Sequence, residues 1–177
     1  MSIDIISDEN YNIIHALDEK DTKKFWQMMI KFILGTDMAR HYDIIKAVKA
    51  KIEAGEFNLE NEEDRKSAMG LIMKVADISS VARPFEIANK WVDILNNEYF
   101  RQGDREKSSG MGLTSPQNDR EHPDKPKSQI GFYNFVCLPL YNTVATIFPE
   151  LQANVEQLKS NLAVWMSLAE KQKAEAK

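Results

Sequence analysis

The chain has 177 residues, 43% of them hydrophobic, which suits one domain with a buried core. A formal charge of −4 argues against a nucleic-acid partner, because neutralising phosphates requires clustered Lys and Arg. The single cysteine, Cys137, excludes an internal disulfide and fits a reducing, cytoplasmic setting. The opening MSIDIISDEN lacks a basic region followed by an apolar one, and no window reads as the roughly 20 apolar residues a membrane span needs. No membrane segment is therefore expected in this chain.

Apolar residues recur at spacings of three and four, and period-two alternation is scarce, so the expected fold class is all-α. The first main helix is predicted over 21–36 with Asp18 as its cap. Its Phe25, Trp26, Met28, Met29, Ile30, Phe32, Ile33 and Leu34 cover most of the circumference, so it needs neighbours on more than one side. A second helix over 39–54 carries Ile44, Val48 and Ile52 on one stripe and stops at Gly55. A third begins in NEEDR, turns Ala68, Leu71, Ile72, Val75 and Ala76 inward and ends near ADISS.

Pro84 fits the first turn of a fourth helix, whose stripe is Ile87, Trp91, Ile94, Leu95 and Tyr99 and whose stop is Gly103. Residues 104–127, with SSGMG and Pro116, Pro123 and Pro126, form the one long irregular stretch, a length usually reserved for function or mobility. A fifth helix starts near Ser128 and is kinked at Pro139, where a backbone donor is lost. The last, over 150–171, spaces Leu151, Val155, Leu158, Leu162 and Trp165 at three and four. The tail 171–177 is solvated and expected to fray.

No self-contained catalytic motif is present: there is no HExxH, Gly-rich phosphate loop, CxxC pair or Gly-x-Ser-x-Gly elbow. His15, His41 and His122 are isolated and read as surface or packing residues. An Asp near a helix end, such as Asp77, is ordinarily solvated or a cap. Gln129 and Phe132 lie three apart and share a helix face. They read equally as a polar residue near a helix start beside a core ring.

Four segments say more. ILGTDMARH, MKVADISSVARP, NEYFRQGDREK and KSQIGFYNFVCLPLY occur in this order and resemble those of the class I 3',5'-cyclic-nucleotide phosphodiesterases. The resemblance runs over about 10–170, so that 1–177 reads as a partial catalytic domain, the carboxyl-terminal half. It implies a compact multi-helix bundle of the HD type and a pocket holding two divalent metals, zinc plus magnesium or manganese. In that family a metal-bridged hydroxide attacks the cyclic phosphate and gives a 5'-nucleotide; paired metals acidify the shared water and stabilise phosphoryl charge.

Residue by residue, the resemblance matches Asp77 to a metal ligand and Gln129 and Phe132 to the base-binding element. The Gln129 amide can donate and accept at a purine edge, and the Phe132 ring can stack on its face. Leu95 matches the opposite apolar wall, and Tyr99 lies one turn further along. Asp37 matches an aspartate near the metal centre that does not coordinate, with a packing role as the alternative. Glu98, Gln102 and Asp104 are expected to orient neighbours and tie down the loop. Ser80 stands where the family commonly has Asn, which removes an amide from the nucleotide's surroundings.

The metal-binding histidines, the His-Asp pair and the general-acid histidine of the family are expected upstream, so no catalytic residue is assigned within this chain. An amino-terminal half, in the same or a separate chain, is the implied partner besides the cyclic nucleotide, and the chain alone is expected to be inactive. Truncation, a split gene and degeneration all fit that absence. The stretch ARPFEIANKWVDILNNEYFRQGDREK is most similar to the cGMP-selective branch. Beside this enzyme reading stand a non-catalytic nucleotide-binding or partner-docking remnant and a plain helical scaffold.

Overall fold

In the computed structural model, which describes residues 2–175, all regular structure is helical, and no strand occurs among these residues. After a short helix α1 (Ser2–Ser7), Asp18 starts α2 (Glu19–Gly35) by accepting from the Asp21 amide at 2.8 Å. A 3₁₀ turn at Met38–Arg40 leads into α3 (His41–Glu53). That helix ends on Gly55 at φ 70°, with the Glu56 amide reaching back to the Lys51 carbonyl at 2.9 Å. Asn61 caps α4 (Glu62–Asp77), accepting from the Glu63 and Asp64 amides.

The fourth predicted helix is longer than its sequence suggests. α5 (Phe85–Ser108) passes through Gly103 and stops at Gly110, φ 72°, where the Met111 amide bonds the Glu106 carbonyl at 3.0 Å. Gly103 answers a different constraint, because a Cβ there would lie 2.0 Å from the Asn118 carbonyl oxygen. The irregular stretch shrinks to 109–124 and contains a 3₁₀ turn at Pro116–Asn118.

α6 (Lys125–Phe132) begins ahead of the expected Ser128, with Pro126 in its first turn and Asp124 accepting from the Lys127 amide. A π-helical turn at Tyr133–Cys137 joins it to α7 (Leu138–Ile147). The disturbance expected at Pro139 thus falls in the turn before the proline, where its missing N–H loosens the ladder. α8 (Gln152–Glu175) extends past the predicted end; of the tail expected to fray, residues 176–177 lie outside the described residues.

The run 125–147 contains an 18-residue window of mean hydropathy 1.2, long and apolar enough to cross a bilayer by length and composition, contrary to the window reading of the sequence. Core burial accounts for that apolarity. Tyr133, Cys137 and Tyr141 join Val81, Val92, Val155, Leu158 and Trp165 in one cluster, and Leu140 and Val144 join Ile45, Val48 and Leu71 in another. The α6–α7 run is therefore the central element, packed against α8 on one side and α3 and α4 on the other.

Two predicted stripes do not face the core. On α5 the buried residues are the small Ala88 and Val92, whereas Ile87, Trp91, Ile94 and Leu95 remain exposed, Trp91 by 54%. Small side chains let α5 approach its neighbours closely, and the bulky stripe is left for the outer face. On α4, Ala68 and Leu71 are buried, but Ile72 and Ala76, about 100° further round, are exposed. α2 packs on α4 and buries Phe32, leaving Ile30, Ile33 and Leu34 open to solvent.

A buried ammonium closes α2. Lys74 Nζ donates to the carbonyls of Gly35, Thr36 and Asp37 at 3.0, 3.3 and 3.4 Å, the groups a helix leaves unpaired at its carboxyl end. Beside it, His41 is 1% exposed and neither ring nitrogen makes a well-formed hydrogen bond. Burial lowers its pKa below 6.5, the Lys74 charge acts in the same sense, and the Val136 carbonyl opposes them. The unfolded chain therefore takes up this proton first, and stability falls as pH drops from 6.5 towards the lowered value. Urea midpoints measured from about pH 7 to about pH 5 should decline for the wild type and decline less for His41→Phe.

Candidate functional site

Asp77 ends α4, and the chain then turns through a 3₁₀ segment at Ser79–Ala82 that has no side-chain cap. Its position is imposed from outside. The Val81 carbonyl accepts from the Tyr133 hydroxyl at 3.0 Å and from Asn161 Nδ2 at 2.9 Å, and Asn161 also donates to the Arg83 carbonyl at 2.8 Å. Burial pushes the Tyr133 hydroxyl up to about 12, so it remains a donor across the ordinary pH range. The end of α4 is thereby fixed relative to α6 and α8.

Between this turn, α5, α6 and the 109–124 loop lies a cleft of about 760 Å³. The turn region supplies Asp77 and Ser80, α5 supplies Trp91, Leu95 and Tyr99, and α6 supplies Gln129 and Phe132. The loop contributes Ser115, Pro116 and Gln117 and, further along, Asp119, His122, Pro123 and Asp124. Gln129 and Phe132, one turn apart, both open onto the cleft, and the Gln129 amide makes no hydrogen bond to another described residue. An unspent amide beside a ring, facing an apolar wall, can read the edge of a planar base while the ring covers its face.

Five of the residues singled out from sequence therefore share one cavity: Asp77, Leu95, Tyr99, Gln129 and Phe132. Two do not line it. Asp37 caps the Met38–Arg40 turn through the Ala39 amide at 2.9 Å, and its carbonyl receives Lys74. Glu98 is exposed on α5. Gln102 and Asp104 do tie the loop: Gln102 Nε2 donates to Glu106 at 2.7 Å and to Thr114 at 3.3 Å. Arg120 grips Asp104 at 2.9 and 2.6 Å while lying 5.6 Å from the Phe100 ring centre.

As a candidate metal ligand, Asp77 has no companion among the described residues. Among the described residues, the one group of three ligand-type side chains close enough to share an ion is Asp119, Glu121 and His122, on the loop, and it does not include Asp77. Asp119 is already engaged by Lys107 at 2.8 Å and His122 at 2.9 Å. The donors present do not fit a pair of divalent ions at Asp77.

Residues 1–158 match the family model for 3'5'-cyclic nucleotide phosphodiesterase. The chain belongs to this family. Over 152 residues this phosphodiesterase chain is 40% identical to the high affinity cGMP-specific 3',5'-cyclic phosphodiesterase 9A of Homo sapiens, covering 86% of this chain and 25% of the relative. To a cGMP-specific 3',5'-cyclic phosphodiesterase of Drosophila melanogaster it is 34% identical over 168 residues, 94% of this chain and 15% of that protein. The solved structure of LmjPDEB1 in complex with IBMX matches with a TM-score of 0.89 at 30% identity, covering 96% of this chain and 51% of that one. The chain thus spans a quarter or less of these two relatives and about half of the solved chain. The all-α bundle expected from the motifs is the fold of LmjPDEB1.

Sequence reasoning missed Glu106, Asn118 and Asn161, all buried polar residues. Asn161 left a readable trace as the polar residue interrupting the Leu158, Leu162 and Trp165 pattern, since an amide on a core face needs a specific partner. Replacing it by Leu strands the Val81 and Arg83 carbonyls from this donor. Urea unfolding of Asn161→Leu should show a loss of about 1–3 kcal/mol, about 0.5–1.5 kcal/mol for each of the two hydrogen bonds removed.

Proposed function

We propose that this chain forms the base-binding side of a cyclic-nucleotide phosphodiesterase site, and that the intact protein hydrolyses 3',5'-cyclic nucleotides to 5'-nucleotides. The observation that carries the reading is the free Gln129 amide one turn from Phe132, in the same cleft as Leu95, Tyr99 and Asp77. Family membership supports the reaction class. Two relatives named as cGMP-specific, at 40% and 34% identity, support cGMP as the preferred substrate over cAMP.

In this reading Gln129 binds and orients the purine, Phe132 stacks on it, Leu95 closes the opposite side, and Tyr99 extends that wall. Asp77 contributes one carboxylate to a divalent-metal centre, as the family generally uses such metals. We assign that centre zinc plus magnesium or manganese; bound metals would acidify a water and stabilise phosphoryl charge. The remaining ligands and the general-acid histidine come from outside the described residues, in an amino-terminal half that belongs to this chain's parent or to a second chain. The exposed Ile30, Ile33 and Leu34 on α2 support such a neighbour, since a continuous apolar face ordinarily has a cover. Asp37 and Glu98 would then support neighbouring groups around the centre. The whole of 1–177 acts as one partial catalytic domain, and its lone buried thiol suits the cytoplasm.

The solitary Asp77 also favours a second reading, a nucleotide-binding or partner-docking remnant without turnover. Titration of this chain with cGMP, cAMP and guanosine, followed by Trp91 fluorescence, addresses the cleft directly. Gln129→Ala should weaken cGMP binding by about tenfold or more, the loss of a buried hydrogen-bonding pair; unchanged affinity would sink the base-reading role. In the endogenous protein, chelator-sensitive turnover abolished by Asp77→Ala is expected. Nucleotide binding without any turnover in that protein would establish the remnant instead.

A further inference from the structure

Three walls of the cleft stand on helices or on a turn locked by buried bonds, and the fourth is the loop, whose segment Ser115–Gln117 contains no fully buried side chain. Something other than apolar burial must hold it. Behind it, on α5, Glu106 is 5% exposed and forms no ion pair with a described residue. Its carboxylate is instead surrounded by donors from the loop and its own helix. Oε1 accepts from the Thr114 hydroxyl at 2.6 Å and from Gln102 Nε2 at 2.7 Å, and Oε2 accepts from the Thr114 amide at 3.0 Å. Asn118 Nδ2 reaches both oxygens at 3.4 and 3.2 Å.

Thr114 and Asn118 bracket the wall segment on either side. The same helix presents Gly103 one turn back, where a Cβ would meet the Asn118 carbonyl at 2.0 Å, so α5 both grips and closely admits the loop. Burying a carboxylate without a cation is costly unless its lone pairs are met. Donation by the Thr114 hydroxyl, then by Gln102 and the Thr114 amide, holds its pKa down at about 2, which keeps the acceptor ionised.

We propose that Glu106 is a positioning residue: by holding Thr114 and Asn118 it sets where Ser115–Gln117 stands, and through that wall the affinity of the cleft for its nucleotide. The inference rests on the reading of the cleft as a nucleotide site, but its mechanical half does not. Glu106 lines no part of the cleft and touches no ligand.

The test compares the wild-type chain with Glu106→Gln, Gly103→Ala and Thr114→Ser, measuring amide hydrogen exchange by segment and binding of cGMP. Glutamine matches glutamate in shape, yet an amide nitrogen at the Oε2 position would face the Thr114 and Asn118 N–H donors, and one at the Oε1 position could no longer accept from Thr114 or Gln102. Glu106→Gln should speed exchange across 112–119 and weaken cGMP binding, each by about tenfold, with α6 and α8 unaffected. Gly103→Ala should do the same by pushing Asn118 away, while Thr114→Ser, which keeps hydroxyl and amide, should match the wild type. Unaltered loop exchange in Glu106→Gln overturns the proposal, as does a loosened loop with undiminished affinity. Should Glu106→Gln also expose α6 and α8, Gly103→Ala decides in the same two ways. If the wild type binds no cGMP, the nucleotide reading and the affinity claim fail together, and loop exchange alone decides whether Glu106 holds the wall.

Discussion

The site depends on a single backbone oxygen. The Val81 carbonyl sits where the 3₁₀ turn after α4, the π-helical turn after α6 and the middle of α8 meet, and it accepts from the Tyr133 hydroxyl and the Asn161 amide together. Both donors are fully buried, so neither has water as an alternative partner. A turn with one carbonyl held by two helices cannot slide along either of them. Asp77 and Ser80 on one side, and Gln129 one turn before Tyr133 with Phe132 immediately before it, consequently keep a fixed separation. The separation of the Asp77 carboxylate from the Gln129 amide is thus set by packing in the core and not by the side chains that face the cleft.

The other half of the cleft is built on different physics. Where α6, α7 and α8 share Tyr133, Tyr141, Leu158 and Trp165, the 109–124 loop is held by polar groups: Glu106 within, Lys107 to Asp119 and Arg120 to Asp104 at the surface. Exposed ion pairs contribute little and weaken with salt, whereas a buried carboxylate saturated by donors does neither. The buried and the exposed contacts on the loop are therefore unequal, and the apolar side remains fixed whatever the loop does.

Periodicity and local chemistry made much of the fold legible. Asp18 caps α2 and Gly55 ends α3 because an N-cap acceptor and a residue at positive φ act within one turn of chain, so neighbouring residues carry the signal. The motif segments likewise brought Asp77, Leu95, Tyr99, Gln129 and Phe132 into one cavity. What failed to show was anything decided by a distant neighbour. The stripe Ile87, Trp91, Ile94 and Leu95 has the spacing of a core face, yet Ala88 and Val92 take the core because close helix contact there favours small side chains. Gly103 and Gly110 look alike as stops; only the approach of Asn118, fifteen positions on, separates the packing glycine from the capping one. Glu106 reads as one more charge in GDREK until Thr114 and Asn118 fold back over it.

These two kinds of construction bear on how a site divided from its remaining ligands can work. The contacts of Val81 with Tyr133 and Asn161 lie among the described residues, so on the proposed reading the base side would need no other segment to order it. Preorganisation of this sort lowers the entropic cost of placing a ligand, because the groups that meet the base are already in position. On the proposed reading the metal side would have the opposite character, since Asp77 has no companion ligand among the described residues and a dinuclear centre would need imidazoles and carboxylates from elsewhere. A nucleotide held first by Gln129 and Phe132 would carry its phosphate towards Asp77, which lines the same cleft. Recognition of the base and cleavage of the phosphate would then be separable properties of one fold, the first written in these residues and the second completed from outside them.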